Sequence, residues 1–168
     1  LSYRRAEFQE FTLPVVPQGI TIRRADHDYG PATKILPALK LFAGEDVRII
    51  YCDDDHVYDP DWAESLIDAA AESPGSCMAA VGLNVETLKL LAWRRTPWSR
   101  TLGALTLGRH RRDLAARIAA LKTTAGPVDI AQGFGGVLVR PDMIPEAAYD
   151  IPGVLWMVDD IWLSGHLQ

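Results

Sequence analysis

Along the chain, short runs of β-branched and apolar residues alternate with stretches whose apolar positions recur every three or four residues. Such alternation predicts an α/β architecture, with helices flanking a mostly parallel sheet. Ile20-Thr21-Ile22-Arg23-Arg24, after the Pro17-Gln18-Gly19 turn, and Val47-Arg48-Ile49-Ile50-Tyr51-Cys52 are the two early strands. The second is almost continuously apolar, as a central strand covered on both faces should be. Between them the segment 29–42 reads as helical, with Pro31 suited to a first turn and Pro37 expected to kink or break the helix. Asp59-Pro60-Asp61 supplies an N-cap, a proline at the first helical position and an acid in the first turn. The stripe that follows, Trp62, Leu66, Ile67 and Ala70, should pack on the sheet. Residues 78–83 predict another strand, and Leu114, Ile118 and Leu121 mark a helix from Asp113. Val128-Asp129-Ile130-Ala131 and Val137-Leu138-Val139-Arg140 are two short strands bent apart at Gly133-Phe134-Gly135-Gly136. The glycines there predict a backbone that something approaches closely.

The 168 residues are 48% hydrophobic and 23% charged, which suits one globular domain and excludes disorder, collagen and coiled coil. A chain of this length buries roughly 70% of its unfolded surface, so a core forms without disulfides or structural metal. Cys52, in a strand, and Cys77, in a loop, make neither a disulfide framework nor a zinc knuckle, and the default setting is reducing and cytoplasmic. No apolar run approaches the roughly 20 residues that span a bilayer, and the first residues lack the apolar stretch of a signal peptide. The start at Leu1 and the stop at Gln168, inside what reads as the first turns of a helix, lead us to expect a single domain over 1–168 truncated at both ends. The net charge of −5 conceals a basic insert at 93–122, where eight basic residues face one acid, Asp113. That segment is either solvated surface or a face toward nucleic acid, anionic lipid or a phosphorylated substrate.

Three acids, Asp53-Asp54-Asp55, stand directly after the apolar strand. Adjacent carboxylates repel one another unless a cation neutralises them, and ligands in open α/β sheets bind just beyond the carboxyl ends of strands. In an extended stretch Asp53 and Asp55 point the same way and can share one ligand, while Asp54 faces elsewhere. Carboxylate oxygens without clustered His or Cys suit Mg²⁺ or Mn²⁺. The alternative is an acidic loop that caps the following helix. Asp159-Asp160 opens a helix and can cap it, or can supply a general base walled by Trp156 and Trp162. Gly30-Pro31-Ala32-Thr33-Lys34 is either a plain helix start or a phosphate seat of free N–H groups and an ammonium. His27, His56, His110 and His166 are scattered singly, in surface or hydrogen-bonded roles.

With these blocks placed, the sequence resembles a nucleotide-sugar-dependent glycosyltransferase of the GT-A fold, close to the broad family 2 group. The matching residues are Asp28-Tyr29-Gly30-Pro31-Ala32-Thr33-Lys34, Ile49 to Asp55 with Tyr58 and Trp62, Gly133 to Val139, and Asp159-Asp160-Ile161-Trp162-Leu163. The resemblance implies a Rossmann-like, mostly parallel sheet lacking its first strand and its C-terminal end here. It implies that Asp53 and Asp55 are the acids of an Asp-x-Asp motif. Asp53 would lie near the ribose and on the metal, Asp55 would hold the Mn²⁺ or Mg²⁺ that bridges the donor diphosphate, and Asp54, Lys34 and Gly30 would sit beside the nucleotide. It further implies Asp160 as the base of an inverting enzyme with Asp159 as its partner. Gly133, Phe134, Gly135, Gly136 and Trp156 would form the wall beside donor sugar and acceptor. The expected partners are a UDP- or GDP-linked sugar and a saccharide or glycolipid acceptor. Polysaccharide or glycoconjugate synthesis at the inner face of the membrane would follow, with the Arg-rich segment on anionic lipid and no nucleic acid bound. Two other readings remain open from the residues: a nucleotidyltransferase, which needs paired carboxylates and metal but no base at Asp159-Asp160, and a non-catalytic nucleic-acid or anion-binding module.

Overall fold

A computed structural model describes residues 13–94 and 125–167. The helix expected from Asp113, and all of the basic insert beyond Arg94, lie outside them. Pro31 stands in the first turn of a 3-10 helix over Gly30–Lys34; the chain then turns at Ile35 and begins α1 (Leu36–Leu41) with Pro37 in its first turn. The break foreseen at Pro37 thus falls two residues earlier, because a proline is tolerated where helix N–H groups have no intrahelical partner. Ala32, Ile35, Leu36 and Leu39 are buried along the inner side of this bent segment.

Then come β1 (Ile49–Tyr51), α2 (Trp62–Glu72), β2 (Met78–Ala79), β3 (Gly82–Leu83), α3 (Val85–Arg94), β4 (Ile130–Ala131), β5 (Val137–Val139) and α4 (Asp159–Ser164). One sheet has the order β1-β5-β2 and the second pairs β3 with β4. Tyr51 faces Val137 and Met78 faces Leu138 across the first; Gly82 faces Ala131 across the second. Every strand pair among the described residues is antiparallel, where the sequence predicts a mostly parallel sheet. The run Ile20-Thr21-Ile22-Arg23-Arg24 forms no strand, so β1 has no parallel neighbour from that side. The centre of the described sheet is β5, not β1: Val137, Leu138 and Val139 are all buried, whereas Ile49 and Ile50 are half-buried.

Residues 78–83 also differ from the single strand expected. Ala80 N–H donates to the Gly136 carbonyl at 3.0 Å and Gln132 N–H donates to the Val81 carbonyl at 2.9 Å, so the run crosses from one sheet to the other at Ala80 and Val81. The bend between β4 and β5 at the glycines is as expected, a 3-10 turn over Gly133–Gly135.

Alternation along β5 divides the core into two sides. Val137 and Val139 join Tyr29, Ile35, Leu36, Leu39, Tyr51 and Leu163, while Leu138 meets Leu66 and Ala70 of α2 with Trp62, Ile50 and Met78 around them. Of the predicted α2 stripe, Leu66 and Ala70 are buried but Ile67 is 45% exposed. The spacing of 62, 66 and 70 already fills the face toward the sheet, and Ile67 is turned off it. The helix begins at Trp62, whose N–H donates to the Asp59 carbonyl at 3.0 Å, and no side chain caps it. The sequence reading did not anticipate α3, which is capped from a distance: Val85 N–H donates to Asp129 Oδ2 at 2.8 Å. Among the described residues no helix is long and apolar enough to cross a membrane.

Candidate active site

The carboxyl end of β1 delivers the chain to Cys52 and Asp53, and the backbone turns at Asp54 and Asp55. The two acids expected to share a ligand have different partners in the protein. Asp53 Oδ1 accepts from Lys34 Nζ at 2.6 Å, while Asp55, largely exposed, pairs with His56 Nδ1 at 2.9 Å. The His56 hydrogen bond holds the Asp55 carboxyl below its ordinary value. Asp54 is exposed at the tip.

Lys34 closes the 3-10 helix and reaches across to α4. Its ammonium lies 3.1 Å from Asp159 Oδ2 and 3.9 Å from Asp160 Oδ1 as well as 2.6 Å from Asp53. Burial alone would lower the pKa of Lys34; the hydrogen bond to Asp53 and the charges of Asp159 and Asp160 outweigh it, so the ammonium is held above its ordinary value. Asp159 and Asp160 stand in the first turn of α4, where their charge suits the helix N-terminus, and no side-chain cap bond is made at Val158. Asp159 is buried against Lys34. Asp160 Oδ1 instead accepts the Gly133 N–H at 2.9 Å. Burial pushes the Asp160 carboxyl above its ordinary value; Asp159 and Asp53 add to the shift, and the Gly133 N–H and Lys34 oppose it.

The glycine segment is threaded between side chains. A Cβ at Gly133 would meet the Lys34 ammonium and lie 3.0 Å from Asp160 Oδ1; at Gly135 it would strike Val81, and at Gly136, where φ is +97°, the Trp62 ring. The close approach expected there is thus made by the protein's own groups. Tyr58 and Trp62 pin the segment: Tyr58 Oη donates to the Phe134 carbonyl at 2.8 Å and lies 3.0 Å from the Asp53 carbonyl, and Trp62 Nε1 donates to the Gly135 carbonyl at 2.7 Å. The Phe134 ring lies 5.2 Å from that of His56. Tyr58 and Trp62 therefore tie the acidic loop to the Gly-rich turn, a role whose two ends are more than 70 residues apart and carry no local signal.

Gly30 is buried with φ +63°, its N–H donates to Asp28 Oδ1 at 2.8 Å, and the Tyr29 N–H donates to Thr33 Oγ1 at 2.9 Å. These two donors are committed to the loop itself, and Lys34 is the group of the segment that reaches the acids. The Trp156 ring packs on Gly30, within 2.7 Å of where a Cβ would stand, and Trp162 Nε1 donates to the Ala148 carbonyl at 2.8 Å with its ring against the core. Beside the acidic pair lies a cavity of about 280 Å³. Leu83, Leu88, Ile130, Met157, Val158 and Ile161 line it, and Asp159, Asp160 and Gln132 complete it. A larger one, about 390 Å³, lies between Ala43–Asp46 and Arg140–Asp142, at the other end of β1 and β5 from the acids.

Among the described residues no group of three or more His, Cys, Asp or Glu side chains is close enough to hold a metal ion. What the loop offers is a different kind of site. Mg²⁺ and Mn²⁺ take hard oxygens and are commonly held by one or two carboxylates, with water and substrate phosphates completing the shell. Asp55, ionised and open to solvent, fits that donor set, while Asp53 is engaged by Lys34.

Residues 6–127 match the model of the family described as Glycosyl transferase family 2. Neither a curated protein nor a solved structure matches the chain. The match contains Lys34 and the acidic loop, while Gly133 and the acidic pair lie beyond it and are joined to it by the contacts above. With well over half of its length matched, the chain belongs to glycosyl transferase family 2, and with it to the sugar-transferring enzymes of α/β GT-A fold.

Proposed function

We propose that this domain is a metal-dependent, inverting transferase that moves a sugar from a UDP- or GDP-linked donor to a hydroxyl of a saccharide or glycolipid acceptor, with Asp160 as the general base. The observation that carries the reading is the convergence of the donor-side acid Asp53 and the pair Asp159-Asp160 on one ammonium, although 106 positions separate Asp53 from Asp159. A base must be ionised and still proton-seeking, and partial burial gives Asp160 that character. The acceptor hydroxyl would enter by the apolar-walled cavity that Asp160 borders. Its proton passes to the free oxygen of Asp160 as its oxygen bonds to the anomeric carbon, and the bond from that carbon to the nucleoside diphosphate breaks. Attack opposite the leaving group inverts the anomeric centre.

Asp55 is the residue that would hold Mn²⁺ or Mg²⁺, which when bound supplies positive charge to the departing diphosphate. Asp53 and Asp54 would border the nucleotide, and Tyr58 and Trp62 keep the loop that bears them against the Gly-rich turn. Synthesis of polysaccharide or glycoconjugate in the cytoplasm suits this chemistry, with the basic insert 93–122 resting on anionic lipid. The test is to supply UDP- and GDP-hexoses with saccharide acceptors and read the anomeric configuration of the product by NMR. Transfer with inversion is expected; retention, or no transfer from any nucleotide sugar, overturns the proposal.

A further inference from the structure

The ammonium at the centre of the carboxylates has a role of its own. Lys34 comes from the 3-10 helix, Asp53 from the end of β1, Asp159 and Asp160 from the first turn of α4, and Gly133 from the turn between β4 and β5. Four separate segments therefore meet around one side chain whose exposure is 18%. Three carboxylates without that cation would repel one another, and α4 would be pushed from the loop after β1. Asp160 is held at one oxygen by two groups: the Gly133 N–H at 2.9 Å and, more loosely, Lys34 Nζ at 3.9 Å. Gly133 has room for the ammonium because it has no Cβ.

We propose that Lys34 is a positioning residue: its ammonium ties the donor-side acid Asp53 to the pair Asp159-Asp160 and so aims the Asp160 carboxylate, leaving its second oxygen for the acceptor. The aiming requires a cation on a stem of this length at this place. It does not require Lys34 to touch the donor. The ammonium donates to Asp53, while its charge attracts Asp159 at 3.1 Å and Asp160 at 3.9 Å. The geometry stands by itself, and its catalytic consequence rests on the reading of Asp160 as the base.

The Gly133 amide proton, donated to Asp160, reports the aim of that carboxylate without any substrate. In Lys34→Met, hydrogen exchange at Gly133 should speed by about tenfold or more while the amides of β5 keep their protection. Turnover of UDP- or GDP-hexoses should fall at least about tenfold in kcat with the donor KM within about a factor of two, and Lys34→Arg should recover part of both effects. Unchanged Gly133 exchange in folded Lys34→Met overturns the proposal. So does a rise in donor KM with kcat intact, which would make Lys34 a ligand of the donor. If Lys34→Met does not fold, as loss of protection throughout β5 would show, Lys34→Gln decides by the same comparison, since it keeps a stem and N–H donors and removes the charge. If the unmodified chain transfers no sugar, the assigned function fails, and the exchange experiment still decides whether Lys34 aims Asp160.

Discussion

Single side chains set the chemistry. Asp53 and Asp159 both lie within 3.1 Å of one ammonium, and Asp160 is the furthest of the three acids from it. Its pKa is raised, first by burial, then by Asp159 and Asp53 nearby; Lys34 on the neighbouring 3-10 helix and the Gly133 N–H oppose the shift. The sign for activity follows directly. A base works only when ionised, so with Asp160 as the proposed base kcat/KM should rise with pH through the Asp160 pKa, and the raised value moves that acidic limb upward from where an ordinary aspartate would put it. A profile already flat from the ordinary carboxylate range upward would contradict that environment. The acids at 53–55 and 159–160 were legible as residues, because carboxylates after an apolar strand and at a helix start are local patterns. Their connection was not: Lys34 stands 19 positions from Asp53 and 125 from Asp159, and no periodicity encodes such a distance. The extended geometry expected of Asp53 to Asp55 is replaced by a turn at Asp54 and Asp55, a local feature that the run of acids does not announce.

At the scale of elements, β5 and the turn before it organise the site. Leu138 is buried between β5 and α2, and Leu138→Ala should lower unfolding stability by about 2–5 kcal/mol in denaturant titration. Gly136 combines a φ of +97° with a Trp62 ring where its Cβ would go. Gly136→Ala should therefore destabilise by about 2–4 kcal/mol, the sum of a left-handed strain and an overpacked contact. A loss below 1 kcal/mol would mean that Trp62 moves aside without effect. The pattern of apolar residues gave away the β4–β5 bend, α2 and α4, each of which has a strong internal period or a glycine break. It missed the division of 78–83 into two strands, because an apolar run reads the same whether or not it changes sheets. It missed α3 as well, whose cap is supplied by Asp129 from 44 positions away. Strand direction was beyond it, since alternation of helices and strands favours parallel order only where consecutive strands become neighbours, and β5 lies between β1 and β2.

For the molecule as a whole, membership of glycosyl transferase family 2 rests on residues 6–127, while the proposed base, Asp160, lies outside that stretch. The two parts are joined by Lys34 to the acidic pair, by Tyr58 and Trp62 to the Gly-rich turn, and by Asp129 to α3. A site divided in this way predicts separable losses. Asp55→Asn should weaken Mn²⁺ binding in the presence of UDP or GDP by at least about tenfold, read from the free-ion EPR signal, because in the proposed function Asp55 would supply the carboxylate that holds the ion. Equal Mn²⁺ binding in that variant would move the metal elsewhere. The most direct test of the central claim compares nucleotide binding with turnover in Asp160→Asn. UDP or GDP should bind as it does to the unmodified chain, while sugar transfer falls by about 10²–10⁴-fold, the range a general base contributes. Transfer at an unchanged rate in Asp160→Asn would contradict the account.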